Sequence, residues 1–114
     1  MSELKVGDRE LMELAAVACG MDAVWSEDYE CMTLRDDPFD SDWCPDTDDG
    51  DSARMRSALL IDADWFGNLV QCAKDTHVEH EYYAEHNDRN AALRLATLKV
   101  AAEIGRRMKE SSNG

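Results

Sequence analysis

The stretch IDADWFGNLVQCAKDTHVEHEYYA, Ile61 to Ala84, decides what kind of fold this chain adopts. It divides into three apolar–polar segments, IDADWF, NLVQCAK and HVEHEYYA, with Gly67-Asn68 and Asp75-Thr76 between them. Connections that short join neighbouring strands in antiparallel order, so the spacing predicts an antiparallel meander. In the third segment Val78, His80 and Tyr82 share one face, while His77, Glu79, Glu81 and Tyr83 share the other.

Working outward, the residues after the meander read as a long helix. From a cap at Asn87 or Asp88 it runs through AALRLATLKVAAEIGRRM to about Lys109, leaving SSNG (111–114) as a frayed tail. Arg106, Arg107 and Lys109 suit its C-terminal dipole. At about 100° per residue, Leu93, Val100 and Ile104 point one way and Leu95, Leu98 and Ala102 another, with Lys99, Glu103 and Arg106 on the wet side. So wide an apolar arc either packs under other elements or offers a second face to an oligomer.

Before the meander, a helix is expected to begin near Asp48 or Asp49 and to carry Ala53, Met55, Ala58, Leu59 and Leu60. Further upstream, VWSEDYECMTL reads as two short strands around a turn at Ser26, Glu27 and Asp28. Asp8 is a candidate N-cap for a first helix through Leu11, Met12, Leu14, Ala15 and Ala18, ending at Gly20. Residues 35–50, with Pro38, Pro45 and Gly50, read as an acidic, ordered loop. The expected class is therefore α+β. It is a single domain over residues 1–114, with a mostly antiparallel sheet of four to five strands and three helices in the order α-β-β-α-β-β-β-α.

Charge is the second informative feature. The net charge is −13, and residues 22–51 hold twelve acids against Arg35 alone, a local −11. Such a segment repels DNA and anionic membranes and attracts basic surfaces, including the grooves of nucleic-acid-binding proteins. The other reading is that the acids keep a small protein soluble. Cys19, Cys31, Cys44 and Cys72 contain no C-x-x-C pair, the stretch MSELKVGDRE is charged and lacks the apolar run of a signal peptide, and no run is long enough to span a membrane. These features predict a cytoplasmic protein with reduced cysteines.

Two patches carry a family likeness. W-C-P-D-T-D-D-G-D-S-A-R-M-R-S-A-L, Trp43 to Leu59, resembles a signature of small tailed-phage and prophage proteins in which T-D-D-G-D opens a helix. HNDRNAALRLATLKVAAEIGRRM resembles their alanine- and arginine-rich closing helix, and LMELAAVACGM their short first one. Together these patches are similar to the phage ABA sandwich domain, a sheet between helices. The resemblance implies a fold and a phage or prophage context, and it brings no catalytic residues. EDYECMTLRDDPFDSD and NLVQCAKDTHVEHEYYAEH depart from the family pattern.

Several chemical constellations can be weighed from spacing. Read as a calcium loop from Asp46, DTDDGD puts Gly50 at the fifth position and Ser57 at the twelfth, where a bidentate glutamate is needed. A weak, irregular cation site from Asp46, Asp48 and Asp51 is the remainder of that reading. Against it stands a structural role, with Asp48 or Asp49 capping the helix and Asp51 facing its positive end. For zinc, Cys31, Cys44, His77 and His80 are the combination to test. His77 and His80, three apart in a strand, point to opposite faces. No glycine-rich phosphate loop and no basic–aromatic patch is present. No cofactor and no catalytic residue is assigned.

The expected function is that of a non-enzymatic accessory protein which docks on a basic, nucleic-acid-binding surface of a host protein. An anti-CRISPR-like DNA mimic is its sharpest form. The residues expected to bind are Asp36, Asp37, Phe39, Asp40, Asp42, Trp43, Asp46, Asp48 and Asp49. Phe39 and Trp43 either anchor the loop on the core or contact the partner. The alternative is a structural module that forms a homodimer through its last helix.

Overall fold

The computed structural model describes residues 2–28, 30–35, 42–86 and 88–113. Helix α1 (Ser2–Ala18) leads into strands β1 (Ala23–Ser26), β2 (Cys31–Leu34) and β3 (Asp42–Trp43). Helix α2 (Asp49–Leu59) is followed by β4 (Asp62–Phe66), β5 (Leu69–Lys74) and β6 (His77–Tyr82), then by a short α3 (Tyr83–His86) and a long α4 (Arg89–Asn113). Among the described residues the strands form two three-stranded antiparallel sheets, β1-β2-β3 and β4-β5-β6, where the sequence predicts one sheet of four to five. Among the described residues there are four helices and not three.

The second sheet is the predicted meander. Register runs Phe66–Leu69–Tyr82, Asp64–Gln71–His80 and Asp62–Ala73–Val78 on one face, with Trp65–Val70–Glu81 and Ala63–Cys72–Glu79 on the other. Gly67 takes φ 64 in the two-residue turn between β4 and β5, a conformation open to glycine at little cost. The strand ends at Tyr82, two residues before the sequence predicts. The Tyr83 N–H donates to the Asn68 carbonyl at 2.7 Å, and the chain winds into α3.

In the first sheet, β1 and β2 pair as expected, Ser26 facing Cys31, with a turn at Glu27 and Asp28 after β1. Strand β3 falls inside the segment read as loop. It is only two residues long, too short to show alternation, and Pro45, without an N–H, follows it.

Helix boundaries follow local chemistry. Gly20 has φ 68, and the Gly20 and Met21 amides return to the carbonyls of Val17 and Ala16, closing α1 as predicted. Its start differs: Glu3, Leu4 and Lys5 are strong helix formers, so the helix extends upstream and Asp8 is an interior residue. Asp48 caps α2. Asp88 caps α4, its carboxylate accepting from the Asn90 N–H at 2.9 Å, while Asn87 lies outside the described residues. The last helix continues to Asn113, past the expected end at Lys109.

The core joins α1, α4 and both sheets through Met12, Ala15, Ala16, Met32, Trp43, Met55, Val70, Cys72, Ala96, Leu98 and Val100. Alanines dominate where α1 meets α4, and Gly105 sits against the Leu14 carbonyl there. The apolar arc of α4 is used inside the chain: Leu98, Val100, Ala101 and Ala102 are buried, and Met108 is its exposed large apolar residue. The β4-β5-β6 sheet packs one face on α4 and leaves Phe66, Val78 and Tyr82 exposed on the other. Among the described residues no helix covers that open face, whereas the family resemblance implies a sheet between helices. No described helix is long and apolar enough to cross a membrane.

Candidate functional site

The segment from Trp43 to Arg56 builds a compact, acidic knot. Trp43 and Pro45 are buried, which plants the chain on the core. The Cys44 carbonyl accepts from the amides of Thr47 (3.1 Å) and Asp48 (2.7 Å), a tight turn that aims the chain into α2. The Asp48 carboxylate then accepts from the Asp51 N–H at 3.3 Å, satisfying one of the free amides at the helix start. Asp51 reaches back, its Oδ2 accepting from the Cys44 N–H at 3.0 Å and its Oδ1 pairing with Arg54 at 2.5 Å.

Two arginines lock this knot to its surroundings. Arg94 of α4 donates to the Asp46 carbonyl at 2.9 Å and pairs with Asp49 at 2.5 Å. Arg56 donates to Ser52 Oγ at 2.9 Å and Thr97 Oγ1 at 3.1 Å, both on buried residues. D-T-D-D-G-D is therefore a helix start fastened to α4. The carboxylates of Asp48, Asp49 and Asp51 engage amides and guanidinium groups, and no three Asp, Glu, His or Cys among the described residues form a cluster able to hold a metal.

The predicted docking residues separate accordingly. Asp42, Asp48 and Asp49 are exposed, and Asp46 is half-buried. Trp43 is 4 % exposed, so its ring anchors the segment and offers no surface to a partner. Asp36, Asp37, Phe39 and Asp40 lie outside the described residues. Asp22, Glu27, Asp28 and Glu30 of the same acidic segment are exposed around the β1–β2 hairpin. Arg35 pairs with Asp22 at 3.6 Å and Arg9 with Glu27 at 3.0 Å. These pairs are solvent-exposed, add little stability, and exchange readily for another cation.

Of the zinc combination only the cysteine half assembles. Cys31 and Cys44 are hydrogen-bond partners, whereas His77 pairs with Glu79 at 2.7 Å and His80 with Gln71 at 2.8 Å on opposite faces of β6. Burial pushes the Cys44 thiol up to about 12, helped by Cys31 and by the charges of Asp46 and Asp42. Burial likewise raises Cys31. Both are held as protonated thiols.

No protein-family model matches this chain, and neither does any curated protein or solved structure. What the protein does must therefore be argued from its own surface and interior.

Two features there escaped the sequence reading. The first is a polar seam between β6 and α4: Glu81, 7 % exposed, bonds His86 Nε2 at 2.8 Å and Lys99 Nζ at 2.5 Å. Alternation placed His77, Glu79 and Glu81 on one face, but the face carrying those three side chains points inward. Lys99 is only half on the wet side because it spans to Glu81. The second is the rung Phe66–Leu69–Tyr82 on the open face of the meander, with Phe66 and Tyr82 exposed and Leu69 half-buried, flanked by Asp62 and Asp64. A period of two marks both faces of a strand equally, so it does not say which one meets solvent.

Proposed function

We propose that this is a small, non-enzymatic accessory protein of a phage or prophage that acts in the host cytoplasm. It docks its acidic 22–51 segment on a basic, nucleic-acid-binding surface of a host protein. An anti-defence inhibitor that imitates the charge of DNA, for instance against a CRISPR effector, is the sharpest form of this reading. One observation carries it: −11 of the net −13 falls in residues 22–51, and the acids Asp22, Glu27, Asp28, Glu30, Asp42, Asp48 and Asp49 of that segment are exposed. A potential of that sign, concentrated on one part of a small protein, steers and holds cationic partners. The phage context rests on the likeness of Trp43–Leu59 and of the closing helix to tailed-phage proteins.

The structure alters which residues the reading leans on. Asp48 and Asp51 build α2, so their contribution to docking is inseparable from their role in the fold. Asp22, Glu27, Asp28 and Asp42 present charge without capping a helix. Self-association through α4 has less support, since its apolar arc already packs against α1 and the meander.

The experiment is a competition. The immobilised protein is challenged with purified host nucleic-acid-binding proteins, and duplex DNA is then added. The reading predicts that a retained partner is released by DNA. Retention that duplex DNA leaves unchanged contradicts it.

A further inference from the structure

We propose that Cys31 and Cys44 form a site of reversible oxidation, closing to an intramolecular disulfide across the β2–β3 ladder. The register pairs Met32 with Trp43 and Thr33 with Asp42. One more step along an antiparallel ladder sets Cys31 opposite Cys44. The phase of that pair follows from the neighbouring strand. The Arg35 N–H donates to the Asp22 carbonyl at 2.9 Å, so Arg35, Thr33 and Cys31 turn their backbone groups toward β1. Leu34 and Met32 then turn theirs toward β3. Cys31 and Cys44 are consequently a non-hydrogen-bonded pair, whose Cα atoms lie about 4.5 Å apart with side chains at their closest. That falls within the span of about 4.4–6.8 Å which a disulfide bridges.

An independent contact agrees with this phase. The Cys44 N–H donates to Asp51 Oδ2 at 3.0 Å, leaving it no role in the β2–β3 ladder. The two thiols are close enough to hydrogen-bond one another, and both are free. The other cysteines have different surroundings: Cys19 lies just past the end of α1, and Cys72 Sγ contacts Thr97 Oγ1 at 3.5 Å.

A low-molecular-weight disulfide such as oxidised glutathione supplies the oxidant. One cysteine, as thiolate, attacks a glutathione sulfur and expels one glutathione thiolate. The second cysteine, also deprotonated, attacks the mixed disulfide at the protein sulfur and expels the other. Two electrons pass from the cysteine pair to the glutathione disulfide, and the two cysteine protons end on the two reduced glutathiones. Burial and the nearby Asp42 and Asp46 keep both thiols protonated, so exchange is slow at neutral pH and accelerates in alkali.

Closure would join β2 to the turn that launches α2. It would also enclose Asp36, Asp37, Asp40 and Asp42 in one ring, restricting the acidic segment covalently. A ring of that size restrains the unfolded chain, so the oxidised form melts at a higher temperature.

The test exposes the full, reduced chain to oxidised glutathione at mildly alkaline pH. Thiols are counted after denaturation, and the cross-linked peptides are mapped by mass spectrometry. The proposal predicts a fall from four thiols to two, a Cys31–Cys44 peptide, a raised Tm, and reversal by dithiothreitol. A Cys19→Ser/Cys72→Ser double variant should oxidise likewise, and Cys31→Ser or Cys44→Ser should not close. Glutathione left on one cysteine without ring closure overturns the proposal. So does a bond involving Cys19 or Cys72, or four intact thiols under conditions that oxidise the unfolded chain. The mapping on the unsubstituted protein decides the matter even where a variant fails to fold.

Discussion

Gly105 of α4 rests directly on the Leu14 carbonyl of α1, so that a methyl group at Gly105 would overlap that oxygen. Backbone cannot step aside as a flexible side-chain end can. This contact sets the approach of the two helices on which both sheets lean. Gly105→Ala should cost about 3 kcal/mol or more, against the modest gain in helix propensity that alanine brings elsewhere. Chemical denaturation checks it, and an unchanged midpoint would show that the helices do not meet here.

Asp51 is placed to matter more than the cap residue itself. Asp48→Ala removes one acceptor at the helix start and should cost about 1 kcal/mol. Asp51→Ala strips the acceptor from the Cys44 N–H and the partner from Arg54 together, and should cost about 2 kcal/mol. Thermal unfolding of the two variants side by side reads the order, and Asp48→Ala being the worse would refute it.

The seam at Glu81 pairs a buried carboxylate with the partly exposed Lys99 and His86. Glu81→Leu leaves Lys99 and His86 facing apolar surface and should destabilise by about 3 kcal/mol. Adding Lys99→Met should recover part of that loss, because two well-packed apolar groups avoid the desolvation the pair must overcome. A double-mutant cycle measures the recovery; strict additivity would mean that the two side chains are not coupled.

Acid should weaken the end of α4. Hydrogen bonds from Arg106, then from Arg107, hold the Glu103 carboxyl below its ordinary value of 4.5. A carboxylate lowered in the folded state adds stability above its unfolded pKa and loses it as pH falls through the folded one. The stability difference between the protein and Glu103→Gln should therefore be constant near neutrality and shrink below about pH 4.5, the ordinary value for this carboxyl. Urea unfolding at a series of pH values follows it, and a difference independent of pH would contradict the assignment.

These residues also show what a sequence can and cannot disclose. Asp48, Gly20 and Gly67 act on their immediate neighbours, so capping and turn chemistry reveal them without tertiary knowledge. The meander was legible because its turns are two residues long. Strand β3 was not, since two residues carry no period; metal-ligand chemistry put Cys31 beside Cys44 but added His77 and His80, which point to opposite faces of β6. Glu81 deceived the alternation rule because its partner, Lys99, comes from another element. Trp43 could have been exposed or buried by composition alone; its pairing with Met32 decides for the core.

The measurement that bears most directly on the proposed function is the salt dependence of affinity for a DNA-displaceable partner, with and without surface charge reversal. Between about 50 and 200 mM salt, Kd should rise at least about tenfold. Asp22→Lys, Glu27→Lys, Asp28→Lys and Asp42→Lys combined, a variant that spares the α2 cap, should abolish most of the binding and flatten that dependence. An affinity that neither salt nor the four reversals alters would contradict docking through the acidic segment.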